Sequence, residues 1–135
     1  MALTNKIKTK IFYVSMATLV LLFVIFCLTA RHLLAQNHLI TYGDVLEIRH
    51  TGRANLVRVG YRYYIGNKFH DFSKEYSSSV ISVNDSKVFE GKSFPVVYYP
   101  KFPYLEAMLI FPEDFEQFHV PFPDSLRWIL PLMKK

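Results

Sequence analysis

Cysteine is nearly absent from this chain: Cys27 is the one thiol among 135 residues. An intramolecular disulfide framework is excluded, so a folded domain here must be held by packing alone. Proline is missing from the first 94 positions, and all seven prolines fall between 95 and 131, which makes the last third turn-dense. Metal-ligand spacing is missing too. The histidines His32, His38, His50, His70 and His119 form no HExxH pattern and no CxxC-associated pair, and no cofactor is expected. A large excess of either charge is missing as well. Lys6, Lys8 and Lys10 account for three of the 16 basic residues, and residues 31–135 then carry 13 basic against 11 acidic groups. That balance is no nucleic-acid footprint.

What is present is a long apolar run. Residues Ile11 to Ala30, IFYVSMATLVLLFVIFCLTA, are twenty consecutive uncharged positions. At about 1.5 Å per helical residue they match a hydrocarbon core of about 30 Å. A cleaved secretory signal has a shorter apolar region and a small-x-small site. Here Ala30 has Leu28 two positions before it, and Ala35 has Leu33. The run therefore reads as an uncleaved anchor. Cys27 follows bulky Phe26, so it reads as an apolar thiol within the helix and not as a lipid-modified cysteine. Three lysines precede the run and only Arg31, with titratable His32, closely follows it, which predicts a cytoplasmic N-terminus. The expected organisation is a basic N-terminus over 1–10, an anchor over 11–30, a juxtamembrane linker over 31–38 and an extracytoplasmic domain over 39–135. That domain would lie in the periplasm or outside the cell.

The domain reads mainly as strands. Val45 to Arg49 alternates with the period of two of a half-buried strand, and Leu46 and Ile48 are expected to face inward. After the turn-rich segment Thr51 to Asn55, the run Leu56 to Ile65 places Val57, Val59, Tyr61, Tyr63 and Ile65 on one face and Arg58 and Arg62 on the other. Gly66-Asn67 suits a two-residue type II′ hairpin, because glycine accepts positive φ without a steric cost. That turn pairs Ile65 with Lys68 and makes every cross-strand pair sum to 133. Arg62 then faces Asp71 and Arg58 faces Glu75, while Tyr61 meets Phe72 and Tyr64 meets Phe69.

Ser77-Ser78-Ser79 ends this hairpin, and residues 80–86 read as a loop or brief strand. Phe94 to Tyr99 is expected as a strand, with Pro95 at its beginning or on an edge. Pro100 to Pro103 turns the chain, and Glu106 to Phe111 supplies the last strand. Pro112 to Glu116 carries proline at a first-turn position and acids near the positive end of a short helix. A further helical turn from Asp124-Ser125 would lay Leu126, Trp128 and Ile129 on the sheet. The fold expected is a small antiparallel sheet, open β-barrel or sandwich after one transmembrane helix, with short helical turns near the C-terminus.

Two segments carry a resemblance. Val59 to Phe69, followed some thirty residues later by Val96 to Pro103, resembles a widespread bacterial membrane-associated domain of unknown function. The matching positions are Val59, Tyr61, Tyr63, Gly66, Lys68, Phe69, Val96, Tyr98, Pro100 and Pro103. Tyr99 stands where that family usually has an acidic residue, and Phe102 where it usually has asparagine. The resemblance implies a small β module beside a membrane helix, and its motifs are structural.

Candidate sites are few. His70 and Asp71 are adjacent on a strand and point to opposite faces, which argues against an oriented acid–base pair. Glu113, Asp114 and Glu116 read as helix-start acids before they read as cation ligands. The arginines Arg49, Arg53, Arg58 and Arg62 invite an anionic contact, but two of them have predicted partners. Aromatic residues make up 16% of the chain. Most must fill the core, and Tyr99, Phe102 and Tyr104 on the proline-rich turn are the first candidates for a protein-binding surface. The expected function is protein binding or scaffolding in the cell envelope. The alternatives are an immunity-type protein that neutralises a toxin at the membrane and, behind it, an enzyme without a known motif.

Overall fold

A computed structural model describes residues 2–53 and 55–133. Ala54, expected within the first turn, lies outside the described residues, as do Met1, Lys134 and Lys135. The elements in chain order are α1 (Ala2–Gln36), β1 (Leu39–His50), β2 (Leu56–Ile65), β3 (Lys68–Ser77), α2 (Ser86–Phe89), β4 (Ser93–Tyr99), β5 (Phe102–Met108) and α3 (Pro112–Gln117). A 3₁₀ turn over Val83–Asp85 precedes α2, and a 3₁₀ run over Asp124–Leu132 ends the domain. Two compact bodies result, 1–33 and 34–135.

The first body is most of one helix. Over Thr4–Gln36 it is long and apolar enough to cross a membrane. Its threonines satisfy themselves: the Thr9, Thr18 and Thr29 hydroxyls donate to the carbonyls of Asn5, Val14 and Ile25 at 2.8–2.9 Å. Each hydroxyl thus has its partner within the helix itself. Residues 31–36 of the expected linker are helical and continue α1.

The second body is a five-stranded antiparallel sheet in the order β3-β2-β1-β4-β5. Pairing of β2 with β3 follows the predicted register at all ten positions, from Leu56 opposite Ser77 to Ile65 opposite Lys68. Of the two turn residues only Gly66 takes a positive φ, 58°, the pattern of a type II′ turn. The inward face is as read: Val57, Val59, Tyr61 and Tyr63 are buried and Ile65 packs against them.

The first strand departs from expectation. Leu46 does not face the core; it is 49% exposed, and Val45 and Ile48 are the buried residues. A bulge is the cause, because Val45 pairs with Tyr61 and Glu47 with Gly60, leaving Leu46 without an opposite number. One extra residue shifts the inward positions by one. At the other side of β1, Gly43 lets the strands approach closely. A Cβ there would meet Arg62 O, Tyr63 Cβ and Val96 Cγ2, each at 3.0 Å.

Two other boundaries move, and the place of Pro95 is settled between its two expected options. Residues 80–86 form neither plain loop nor strand: they run into the turns of Val83–Asp85 and α2, which bury Ile81 and Phe89. β4 lies inside the sheet, between β1 and β5, so Pro95 sits near a strand start and not on an edge. Its carbonyl accepts from Leu109 N–H beyond the end of β5, and because its missing N–H would lie on that same side, the pair keeps one bond where another residue would make two, at the point where β5 has already ended. The last strand begins at Phe102, four residues earlier than expected, while Leu109, Ile110 and Phe111 leave the sheet and bury their side chains. The C-terminal turns fall as expected: Leu126 and Ile129 are buried, and the Trp128 ring lies 5.7 Å from Phe89 and 6.3 Å from Phe94.

Candidate functional site

The two terminal strands of the sheet, β3 and β5, are drawn together by side chains and make it nearly a barrel. Tyr61 on β2 donates to Glu106 on β5 at 2.6 Å, and Tyr63 donates to the Pro103 carbonyl at 2.5 Å. Lys74 on β3 donates to the Met108 carbonyl at 3.4 Å and to Asp114 of α3 at 2.7 Å. Asp114 is the hub of this seam. It also accepts from the Tyr76 hydroxyl at 3.3 Å and from the backbone N–H groups of Ile110 and Phe111 at 3.1 Å each. The acidic segment at α3 therefore acts through one member as a helix cap and ion-pair partner, while Glu113 and Glu116 stay at the surface.

Burial sets the electrostatics of the seam. Desolvation pushes the Tyr61 and Tyr76 phenols well above the ordinary tyrosine value, helped by the neighbouring Glu106 and Asp114 carboxylates, and pushes Tyr63 up to about 12. Glu106 is raised by burial, and the hydrogen bond from Tyr61 and the charge of Lys74 oppose that rise. These groups hold the barrel closed. No buried side-chain nitrogen or oxygen among the described residues lacks a partner.

The outward pairs are as predicted. Arg62 Nε and Nη2 donate to Asp71 Oδ1 and Oδ2 at 2.6 and 2.8 Å, and Arg58 donates to Glu75 at 2.9 Å. The guanidinium of Arg62 also lies 4.4 Å from the Phe69 ring centroid. The hydrogen bonds with Arg62 hold the Asp71 carboxyl below its ordinary value. Arg49 pairs with Glu47 at 2.6 Å, so three of the four early arginines already have carboxylate partners. A shallow open groove of about 670 Å³ runs past Glu47, Arg58, Gly60 and Asp71, but each charged group lining it is engaged in one of these pairs. His70 turns away from Asp71 and stacks on Tyr63 at 5.3 Å. Among the described residues no three His, Cys, Asp or Glu side chains gather as a metal site.

The aromatic candidates divide. Tyr99 is half-buried and packs against the core, so it is not part of an open surface. Phe102 and Tyr104 are 55% and 62% exposed, and their rings touch at 5.5 Å. Tyr104 further contacts His70 at 5.7 Å and Phe72 at 6.2 Å, so it reaches across the seam to β3. Sequence reasoning missed the neighbours of this pair. Tyr42, Tyr64 and Phe69 are exposed as well, together with Leu39 and Ile40. Alternation held the signal for two of them: with Tyr63 and Ile65 inward, Tyr64 must face out with Arg62, and Phe69 lies opposite it.

Comparison with known protein families, curated proteins and solved structures finds no match to this chain. Tyr63, Val96 and Tyr98 lie near one another in the fold. Tyr63 and Val96 are fully buried, the Tyr98 ring lies 6.5 Å from Tyr63, and Tyr63 binds the Pro103 carbonyl. Their arrangement is that of a barrel lining and its lock.

Proposed function

We propose that this chain is a single-pass membrane protein with a cytoplasmic N-terminus, and that its β domain works by binding, as a scaffold held in the cell envelope. One observation supports the reading above others. The large aromatic side chains that the domain leaves exposed, Tyr42, Tyr64, Phe69, Phe102 and Tyr104, are gathered by the strand pairing at one end of the sheet. Large rings gathered in this way, unlike ones scattered singly, are the mark of an interaction surface. The apolar helix α1 and the resemblance of the Val59 to Phe69 and Val96 to Pro103 segments to membrane-associated β modules support the same location.

Orientation and anchoring are tested together. In a Cys27→Ala background, Asn5→Cys and Ser79→Cys report the two sides of α1 to a membrane-impermeant thiol reagent in intact cells. Labelling at 79 and not at 5, in a protein that resists carbonate extraction, is the expected result. Labelling at 5 alone sinks the orientation, and release into the soluble fraction sinks the anchor.

A further inference from the structure

Antiparallel pairing brings three segments to one end of the sheet. Leu39 pairs with Tyr98, Gly43 with Tyr63, Ile65 with Lys68 and Tyr99 with Phe102. The start of β1 (38–42), the β2–β3 turn (64–69) and the β4–β5 turn (98–104) are therefore neighbours. Together they carry Tyr42, Tyr64, Phe69, Phe102 and Tyr104 exposed, and they contain no aspartate or glutamate. Lys68 and Lys101 are exposed there and belong to no ion pair among the described residues. The link at the opposite end, residues 78–92, carries Asp85 and Glu90 beside its lysines.

Rings with a polar tip, apolar side chains and unpaired lysines without carboxylates are the composition that favours the lipid headgroup layer. Chain connectivity chooses among partners. The polypeptide enters β1 at this same end, with only Asn37 and His38 between α1 and Leu39. Within the domain, Leu34 is buried, and His38 Nδ1 lies 3.0 Å from the Leu34 carbonyl with its ring against Phe118. We infer that this end of the domain docks on the headgroups of the membrane that holds α1, its rings in the interface and Lys68 and Lys101 at anionic phosphates. The inference rests on the anchored reading above and names the first partner of its aromatic surface. An anionic leaflet strengthens the contact through the two lysines, and salt weakens it.

The test uses the full chain in a Cys27→Ala background, reconstituted in phosphatidylcholine vesicles with and without phosphatidylglycerol. A fluorophore is placed at Asn67→Cys in the β2–β3 turn, at Leu19→Cys in α1 or at Asn84→Cys beyond the far end of β3. Quenching by headgroup nitroxide lipids at 67, by acyl-chain nitroxide lipids at 19 and by neither at 84 is the expected pattern. Lys68→Glu with Lys101→Glu should then lower the docked-to-free ratio at 67 by on the order of tenfold in phosphatidylglycerol vesicles. Quenching at 19 without quenching at 67 overturns the docking and leaves the anchor standing. Absence of quenching at 19 overturns both. Position 67 open to water in vesicles yet shielded in native membranes also overturns the docking and assigns the surface to a protein.

Discussion

The β2–β3 hairpin and the β3–β5 seam are both held by charged and aromatic contacts, but the two are built from different distances along the chain. Arg62 and Asp71 are 9 residues apart, whereas Tyr61 and Glu106 are 45 apart and Lys74 and Asp114 are 40 apart. In the hairpin a two-residue turn fixes the register, and the ion pairs that follow lie in water, where each adds little. In the seam the partners are half-buried or buried, so each side chain left alone carries a desolvation cost. Proximity in sequence thus goes with legibility, and distance goes with energetic consequence.

The largest break in this comparison is Asp114→Ala. It removes the partner of Lys74 and Tyr76 and frees two backbone N–H groups, so denaturant unfolding of the full chain should show a loss of about 3 kcal/mol. A loss below about 1 kcal/mol would mean that Asp114 is not the hub of the seam.

Glu106 comes next and sharpens the comparison through pH. Burial raises its folded value above the unfolded one, so the folded state binds the proton more tightly. Its contribution favours the folded state at low pH and is lost as pH rises from the ordinary glutamate value through the raised one. Glu106→Gln keeps an acceptor for Tyr61 and removes that loss, so the variant should gain on the parent as pH rises through this window. Asp71 has the opposite sign. Its lowered value gives stability above the ordinary aspartate range that is lost on acidification. Parallel unfolding curves for parent and Glu106→Gln across the window would contradict the buried carboxyl.

The smallest effect belongs to the hairpin. Arg62→Glu should destabilise slightly, and Asp71→Lys in the same chain should restore part of the loss, the readout being a double-mutant cycle by thermal unfolding. Strictly additive losses would show that the pair does not interact.

The hairpin was legible in the sequence because one dipeptide, Gly66-Asn67, determined ten pairs, and the charges at 58, 62, 71 and 75 agreed with it. The bulge at Leu46 was not. Val45-Leu46 are both apolar, so either phase of the alternation looks inward, and the β1–β2 connection is no two-residue turn that would settle the register. The seam was invisible for a different reason. Whether Tyr61 meets Glu106 depends on how far five strands curl, a sum over the sheet that no local pattern encodes. The exposed aromatic end was half legible: Phe102 and Tyr104 were singled out by their turn, but Tyr42 joined them only when pairing placed β1 beside β2.

The order of the strands also carries a timetable. β1, β2 and β3 are consecutive and pair as they follow one another, while β4 and β5 add to the opposite side of β1. Joining residues 45 apart instead of 9 costs on the order of 1.4 kcal/mol more in loop entropy, and it waits on synthesis as well. Asp114 emerges after every strand, and it ties β3 to the segment beyond β5. On this order the barrel closes last, and until then the rims of β3 and β5 stand open, a brief period in which a neighbouring chain could take the place that residue 114 will fill.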